Sequence, residues 1–390
     1  MGLNNAIVIG AGIGGLAAAC ALARRGVAVT VLEQAPAIRE VGAGLQISPN
    51  GLAVLRALGL EKRLKAQGAV QGQAVVMQAF DKQGDVARLD LTQLPAQQRY
   101  LFMHRADLVD ALARAAREQN VSFEFGTQVE DVVAGDMPQL TLADGSTRRA
   151  ELVVGADGIH SRARVALNGA DAGFFTGQVA WRAAVPNTVG HADVAMVTMG
   201  AGRHLVSYPL RGGALVNLVA VEERETWAEE GWNHPDDAAN LRQAFAAFSG
   251  TARALIDAVE VPTLWGLHRH PVAAVWQRGG VALLGDAAHP TLPFLAQGAN
   301  MALEDAWVLA DHVTRGGTAA LEAYQALRVP RVTRVIKVAE GNAWRYHLHP
   351  GPLRALAHLG LRTGSRFAPR RMLGAFDWLY GHDVTAGAPR

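Results

Sequence analysis

Ala6-Ile-Val-Ile-Gly10-Ala-Gly12-Ile-Gly14-Gly15, continued by Leu16 to Arg25 and by Val27-Ala-Val-Thr-Val-Leu-Glu33, is the stretch that decides the fold. The branched run Ala6 to Ile9 suits a buried parallel strand, Leu16 to Arg25 is alanine- and leucine-rich like a helix, and Val27 to Leu32 reads as a second buried strand. Between them the first glycine permits a tight turn, the second lets a pyrophosphate touch the backbone, and the third lets helix and strand pack closely. The helix amino end adds free N–H groups and a partial positive charge. Glu33, closing the second strand and followed by Gln34, can accept both ribose hydroxyls of an adenosine and would repel a 2′-phosphate. A glycine turn without a ligand is the plain alternative. Strand, helix and acid in register argue instead for a dinucleotide.

The 390-residue chain is 50% apolar and 18% charged and has no low-complexity tract, which excludes disorder, collagen and coiled coil. Its 42 glycines, roughly 11% of the chain against a usual ~7%, cluster where apolar runs break. The single cysteine, Cys20, excludes an intramolecular disulfide and a multi-cysteine metal site and fits a reducing compartment. With a net charge of +2, nothing points to nucleic acid or an acidic membrane. Ala6 to Ala23 is uncharged and long enough to cross a bilayer nominally, yet it carries four glycines and no preceding charge; a cytoplasmic protein is expected.

Further along, Pro49 to Leu58 and Arg105 to Glu118 read as helices, the latter with Leu108, Leu112 and Ala116 on one face. From Gln73 to Leu91 and from Val179 to Val221 the texture is alternating strand with glycine turns; Arg211-Gly212-Gly213 is a hairpin turn between two such runs. Buried-strand texture returns at Leu152-Val153-Val154 and at Val281 to Leu284, each ending in Gly and Asp. The expected architecture is α/β and discontinuous. Residues 1–72, 98–176 and 267–340 form a nucleotide-binding domain, 73–97 and 177–266 an antiparallel β-sheet domain for substrate, and 341–390 a helical C-terminal segment.

Two later segments, Gly155-Ala-Asp157-Gly158-Ile-His-Ser161-Arg162 and Gly285-Asp286-Ala-Ala-His289-Pro290, resemble the distal fingerprints of single-component FAD-dependent aromatic hydroxylases, the class A flavoprotein monooxygenases. The closing Phe376-Asp-Trp378-Leu-Tyr380-Gly is similar to the tail of the salicylate, 3-hydroxybenzoate and 6-hydroxynicotinate hydroxylase branch. With the first glycine motif, three fingerprints stand in the family's order over essentially the whole chain. The resemblance implies a Rossmann-like, glutathione-reductase-type FAD domain. It also implies reduction of FAD by NADH or NADPH, with NADH favoured, and oxygen transfer from a flavin C4a-hydroperoxide to an electron-rich ring. By the same resemblance Gly44 and Gln46 lie on a loop over the flavin with Gly42 nearby, Arg105 contacts the cofactor, and Val129 offers a backbone amide to adenine. Asp157 beside Gly158 either holds its own loop or serves FAD and the nicotinamide donor. Asp286, ending a buried strand, is placed for the ribityl hydroxyls, and the amides of Gly298, Ala299 and Asn300 for the flavin pyrimidine edge.

The chemistry requires a base for a phenolic proton of pKa about 10 and a site closed to water. His204 and Tyr208 share a strand face, roughly 13 Å apart at Cα, and could flank a ring lying over Val206. This spacing resembles the His-and-Tyr pair of the 3-hydroxybenzoate and 6-hydroxynicotinate branch; ordinary sheet residues are the alternative. Some relatives carry a polar side chain where this chain has Pro293 and Phe294, both expected at the substrate. Arg182, Arg211 and Gln73 are candidate carboxylate anchors that sequence does not rank, with Arg211 the most turn-like. His268-Arg-His270 and His347-Leu-His349 have strand-like ligand spacing but no third ligand nearby, so no metal is expected. Arg354, Arg362, Arg366, Arg370 and Arg371 read as a solvated helix face or dimer contact, and Cys20 as a core residue. The expected partners are a small aromatic substrate, O2 and NAD(P)H, in a monomer or homodimer. A flavin oxidase or reductase without oxygen insertion, and an FAD-binding protein without turnover, remain as alternatives.

Overall fold

The computed structural model describes residues 3–38, 44–82, 84–224, 226 and 234–386, the side chains of 342–344 aside. Strand β1 (Asn5–Ile9), helix α1 (Ile13–Ala23) and strand β2 (Ala28–Glu33) form the expected strand–turn–helix–strand unit. β1 lies at the centre of a six-stranded sheet, parallel to β2 on one side and to β3 (Leu152–Gly155) on the other. Ser122–Phe125 extends the sheet beyond β2, and Val281–Leu283 extends it beyond β3. Residues 6 to 9 are all buried, which is why the run is apolar without alternation. α1 is apolar all round because it is covered on every side, by the sheet and by a later helix. Cys20 is part of this packing; burial raises its thiol to about 12.

A second sheet of eight strands is mainly antiparallel. Its middle is built from β4 (Phe174–Pro186), β5 (Arg203–Leu210), β6 (Leu215–Glu223) and β7 (Thr263–Arg269), in the spatial order β7-β4-β6-β5. Val194–Gly200 and the hairpin Ala74–Ala79 with Asp85–Asp90 complete it beyond β5. The β5–β6 hairpin turns at Arg211–Gly213, as its sequence implies; Gly212 and Gly213 take positive φ, as does Arg211 at +49°. Two rows of cross-strand neighbours matter for function. One runs His204, Val221, Ala180, Trp265; the next runs Val206, Val219, Arg182, Thr263.

Helix α2 (Gly298–Gly316) follows the Gly285-Asp286 turn and packs on α1. Helix α3 (Leu321–Tyr346) runs without a break across the expected boundary between residues 340 and 341. Between α2 and α3 lies a buried charge network. Arg328 bridges Glu304 and Asp305 at 2.7 Å each, Asp305 also holds His289 at 2.5 Å, and Glu304 accepts from Asn50 at 2.6 Å. The tail docks on the same region: Arg331 donates to the Trp378 and Leu379 carbonyls, and Tyr380 stacks on Phe376. Arg354 is a correction to the solvated-face reading. It is 8% exposed, pairs with Asp81 at 2.6 Å and stacks over Phe80. Among the described residues no helix is long and apolar enough to cross a membrane.

Candidate active site

The glycine turn is shaped by close approach. Gly10 has φ +99°, and a Cβ there would stand 2.6 Å from the Ala156 carbonyl oxygen; a Cβ on Gly15 would overlap the Gly10 carbonyl oxygen. A Cβ on Gly12, by contrast, would meet nothing within 4 Å. The backbone is therefore bare where a ligand can reach the free amides of the first turn of α1. Glu33 fixes this turn from the next strand, accepting from the Ala11 and Ala35 amides at 2.8 Å each. A carboxylate has about four acceptor positions, so two remain for hydroxyls.

From this turn a single cavity runs to the eight-stranded sheet. At one end it is lined by Gly12, Gly14, Gly158, Asp286, Gly298 and Ala299, with Gly44, Gln46 and Arg105 along its side. At the other end it is lined by Arg182, His204, Val206, Tyr208, Trp265 and Pro293. The sheet end is mostly apolar, with Val219, Val221, Leu267 and Leu292 completing the wall. Gly10, Gly15, Glu33, Gln34, Val129, Asp157 and Asn300 are outside this lining, and Gly42 is outside the described residues. Phe294 is corrected from a substrate contact to a backing residue: it is 6% exposed, packs with Val219, Val221 and Trp265, and its ring lies 6.0 Å from that of His204.

Several side chains hold the frame of the site. Asp157 caps its own loop, accepting from the Ser161 hydroxyl at 2.5 Å and the Arg162 amide at 2.7 Å. Asn300 is a cross-brace, accepting from the Ser48 amide at 3.0 Å and donating to the Gln46 carbonyl at 3.1 Å. Gln46 in turn accepts from the Tyr100 hydroxyl at 2.9 Å, and Gly44 donates to Asn217 at 2.7 Å. Of the three candidate anchors only Arg182 lines the cavity. Arg211 pairs with Asp107 at 3.1 Å on the surface, and Gln73 is exposed elsewhere. The guanidinium of Arg182 lies 4.6 Å over the Trp265 ring. Burial pushes Arg182 down to about 10, with Tyr208 opposing and Arg105 adding to the fall, so it stays charged at neutral pH.

His204 is 2% exposed, and its Nδ1 lies 2.7 Å from His347 Nε2. Nε2 has no hydrogen bond to any described residue and is the ring nitrogen left for the cavity. Burial, reinforced by His347, holds His204 well below the usual histidine range, so its imidazole is neutral. Tyr208 is raised above the usual phenol range by burial, which Arg182 only partly offsets, so its hydroxyl keeps its proton. His347 is thus an imidazole partner of His204. His268 lines the cavity, and His270 pairs with Asp171 at 3.1 Å.

These residues fit FAD. The open face of Gly12 suits a pyrophosphate, and Asp286 suits a polyol. Asp286 is accessible along the cavity although protein encloses it, accepts no hydrogen bond from a described residue, and is raised by burial, an effect His289 and Arg105 only partly offset. Such a carboxylate is stabilised by hydroxyl donors arriving from a ligand.

Comparison with known proteins agrees. A family model described as FAD binding domain matches residues 4–339. The chain is similar to 3-amino-4-hydroxybenzoate 2-monooxygenase of Streptomyces platensis, 34% identical over 389 residues, covering 97% of this chain and 96% of that protein. It is also 34% identical over 393 residues to 6-hydroxynicotinate 3-monooxygenase of Bordetella bronchiseptica, covering 97% and 95%. Among solved structures, Klebsiella pneumoniae HpxO complexed with FAD and uric acid superposes with a TM-score of 0.83 at 27% identity, covering 96% of this chain and 97% of that one.

Proposed function

The chain belongs to the FAD binding domain family and within it to the flavin-dependent aromatic monooxygenases, and from that membership we propose that it hydroxylates a phenolic or similarly hydroxylated aromatic acid using NAD(P)H and O2. The observation that carries this reading is the single cavity joining the Gly12–Asp286 end to the Arg182–His204 end. Bound FAD, reduced by NAD(P)H, supplies the activation of dioxygen.

The chain's own residues bind, orient and exclude. Gly10, Gly12, Gly14 and Gly15 with Glu33 and Gln34 would hold the adenosine diphosphate of FAD, the Val129 amide would meet adenine, and the Asp157–Gly158 loop would border them. Asp286 would accept hydrogen bonds from the ribityl hydroxyls, Gly44, Gln46 and Arg105 would border the ring system, and the amides of Gly298, Ala299 and Asn300 would favour negative charge at its pyrimidine edge. Arg182 pairs with the substrate carboxylate, the aromatic ring lies over Val206 against Pro293, and Tyr208 donates a hydrogen bond to it. His204 Nε2 takes the phenolic proton, leaving an electron-rich phenolate in a wall of valine, leucine and tryptophan that keeps water out.

The test is a screen of hydroxylated aromatic acids for faster NADH and NADPH oxidation by the purified flavoprotein, with the product identified by mass. His204→Ala should keep FAD and lose at least ~100-fold in turnover, the usual worth of a general base. No acceleration by any aromatic acid would remove the substrate class, and peroxide release without hydroxylated product would make the protein an oxidase.

A further inference from the structure

Taking the phenolic proton leaves His204 charged deep in the protein. Beyond His204 the structure holds a continuous chain to the surface. His204 Nδ1 is 2.7 Å from His347 Nε2, and His347 Nδ1 is 2.7 Å from Glu223 Oε1. The side chain of His347 is 2% exposed and that of Glu223 is 48% exposed, so three side chains connect the cavity wall to water. The backbone fixes the link. Gly202 donates to the His347 carbonyl at 3.1 Å and accepts from the Glu223 amide at 2.8 Å, which pins the residue after α3 to the ends of β5 and β6.

We propose that His347 and Glu223 form a proton relay that carries the substrate's phenolic proton from His204 to solvent and returns it to the product. The inference rests on the reading of His204 as the base. As the substrate O–H bond breaks, an Nε2–H bond forms on His204; the Nδ1 proton of His204 passes to His347 Nε2, and the Nδ1 proton of His347 passes to the Glu223 carboxylate and on to water. When the hydroxylated product regains its hydroxyl proton the transfers run in reverse, which restores both tautomers. An imidazolium held at His204 is disfavoured by burial and by His347 beside it, so passing the charge outward costs less than keeping it. His347 is also held low by burial, with Arg203 and His349 adding to this and Glu223 opposing, so it transmits without storing. Around the chain, Arg203 pairs with Glu222, and the Tyr346 ring lies 5.2 Å from that of His204.

His347 and Glu223 are positioning residues, and the test reads proton movement. Oxidised holoenzyme without NAD(P)H is mixed in a stopped-flow instrument with 3-hydroxybenzoate, 6-hydroxynicotinate or 3-amino-4-hydroxybenzoate in weak buffer containing a pH indicator; flavin absorbance reports binding separately. Wild type should release about one proton per bound probe, at the rate of binding. His347→Gln should bind the probe but release the proton at least tenfold more slowly, and Glu223→Gln, a surface change that spares the fold, should slow it with recovery in added imidazole. Fast release in both variants with none in His204→Gln would overturn the relay and leave the base intact. Release in His204→Gln as in wild type, or binding of the probes to wild type with no proton released, would overturn both.

Discussion

Replacing Arg182 with Met tests how the substrate is held. Arg182 is two strands across and two residues along from His204, by way of the pairings Arg182 with Val219 and Val219 with Val206. Strand spacing and rise then put the two Cα atoms roughly 12 Å apart. The reach of an arginine and a histidine side chain closes that distance to the span of a ring bearing a carboxylate on one side and a hydroxyl on the other. At neutral pH Arg182 is charged, since burial takes it only to about 10. Methionine keeps the packing on Trp265 and removes a charge-assisted hydrogen bond of about 1.5–3 kcal/mol, a loss of roughly 10- to 150-fold in affinity. The assay is titration of oxidised holoenzyme, followed by flavin absorbance, with 3-hydroxybenzoate and with its uncharged analogue 3-hydroxybenzamide. The acid should weaken by that factor and the amide by less than about threefold, because it never gained the charge pairing. Equal losses for acid and amide, or none for the acid, would refute the anchor.

Three further outcomes follow from particular contacts. Gly12→Ala should leave apoprotein stability unchanged or slightly higher, since its Cβ meets nothing, yet weaken FAD binding at least tenfold; Gly15→Ala, whose Cβ overlaps the Gly10 carbonyl, should lower both. Wild-type FAD affinity in Gly12→Ala would contradict the pyrophosphate placement. Arg328→Met should destabilise by about 3–5 kcal/mol in urea unfolding, because Glu304 and Asp305 lose their shared counter-charge in the interior; a loss below about 1 kcal/mol would show the network to be dispensable. Burial would raise Asp305, but His289 and Arg328 outweigh it and hold the carboxyl at about 2, below its unfolded value of about 3.9. The unfolded chain therefore binds more protons in this window, and the stability is full above about pH 4 and lost as pH falls toward 2. Urea midpoints at about pH 5 and pH 3 should fall less steeply in Asp305→Asn than in wild type, and parallel falls would count against it.

The local parts of the site were legible because their signals are local. Gly10 to Gly15, the helix behind them and Glu33 lie within one strand–helix–strand unit, and Arg105 to Glu118 is a helix over the residues its apolar face suggests. His204, Val206 and Tyr208 line one cavity because alternation along a single strand puts them on one face. Phe294 was misread because a residue beside a lining proline can point either way at a tight turn. Asp157 closes its own loop on the Arg162 amide, one of the two roles its motif offered, whereas the Asn300 side chain is taken up by the Ser48 and Gln46 backbone groups, 252 and 254 residues away in sequence.

By itself the sequence determined the α/β unit, the dinucleotide turn, the resemblance that named a flavin, and the strand face bearing His204 and Tyr208, all through periodicity, glycine placement and short-range order. Tertiary structure alone decided which arginine faces the substrate end and what stands behind the base. Arg182 and Val206 are neighbours only through β6, and His347 meets His204 from 143 residues away, after the end of α3. Cross-strand register and the docking of one element on another are non-local, set by the burial of whole surfaces, and they leave no mark in the spacing of the residues they bring together.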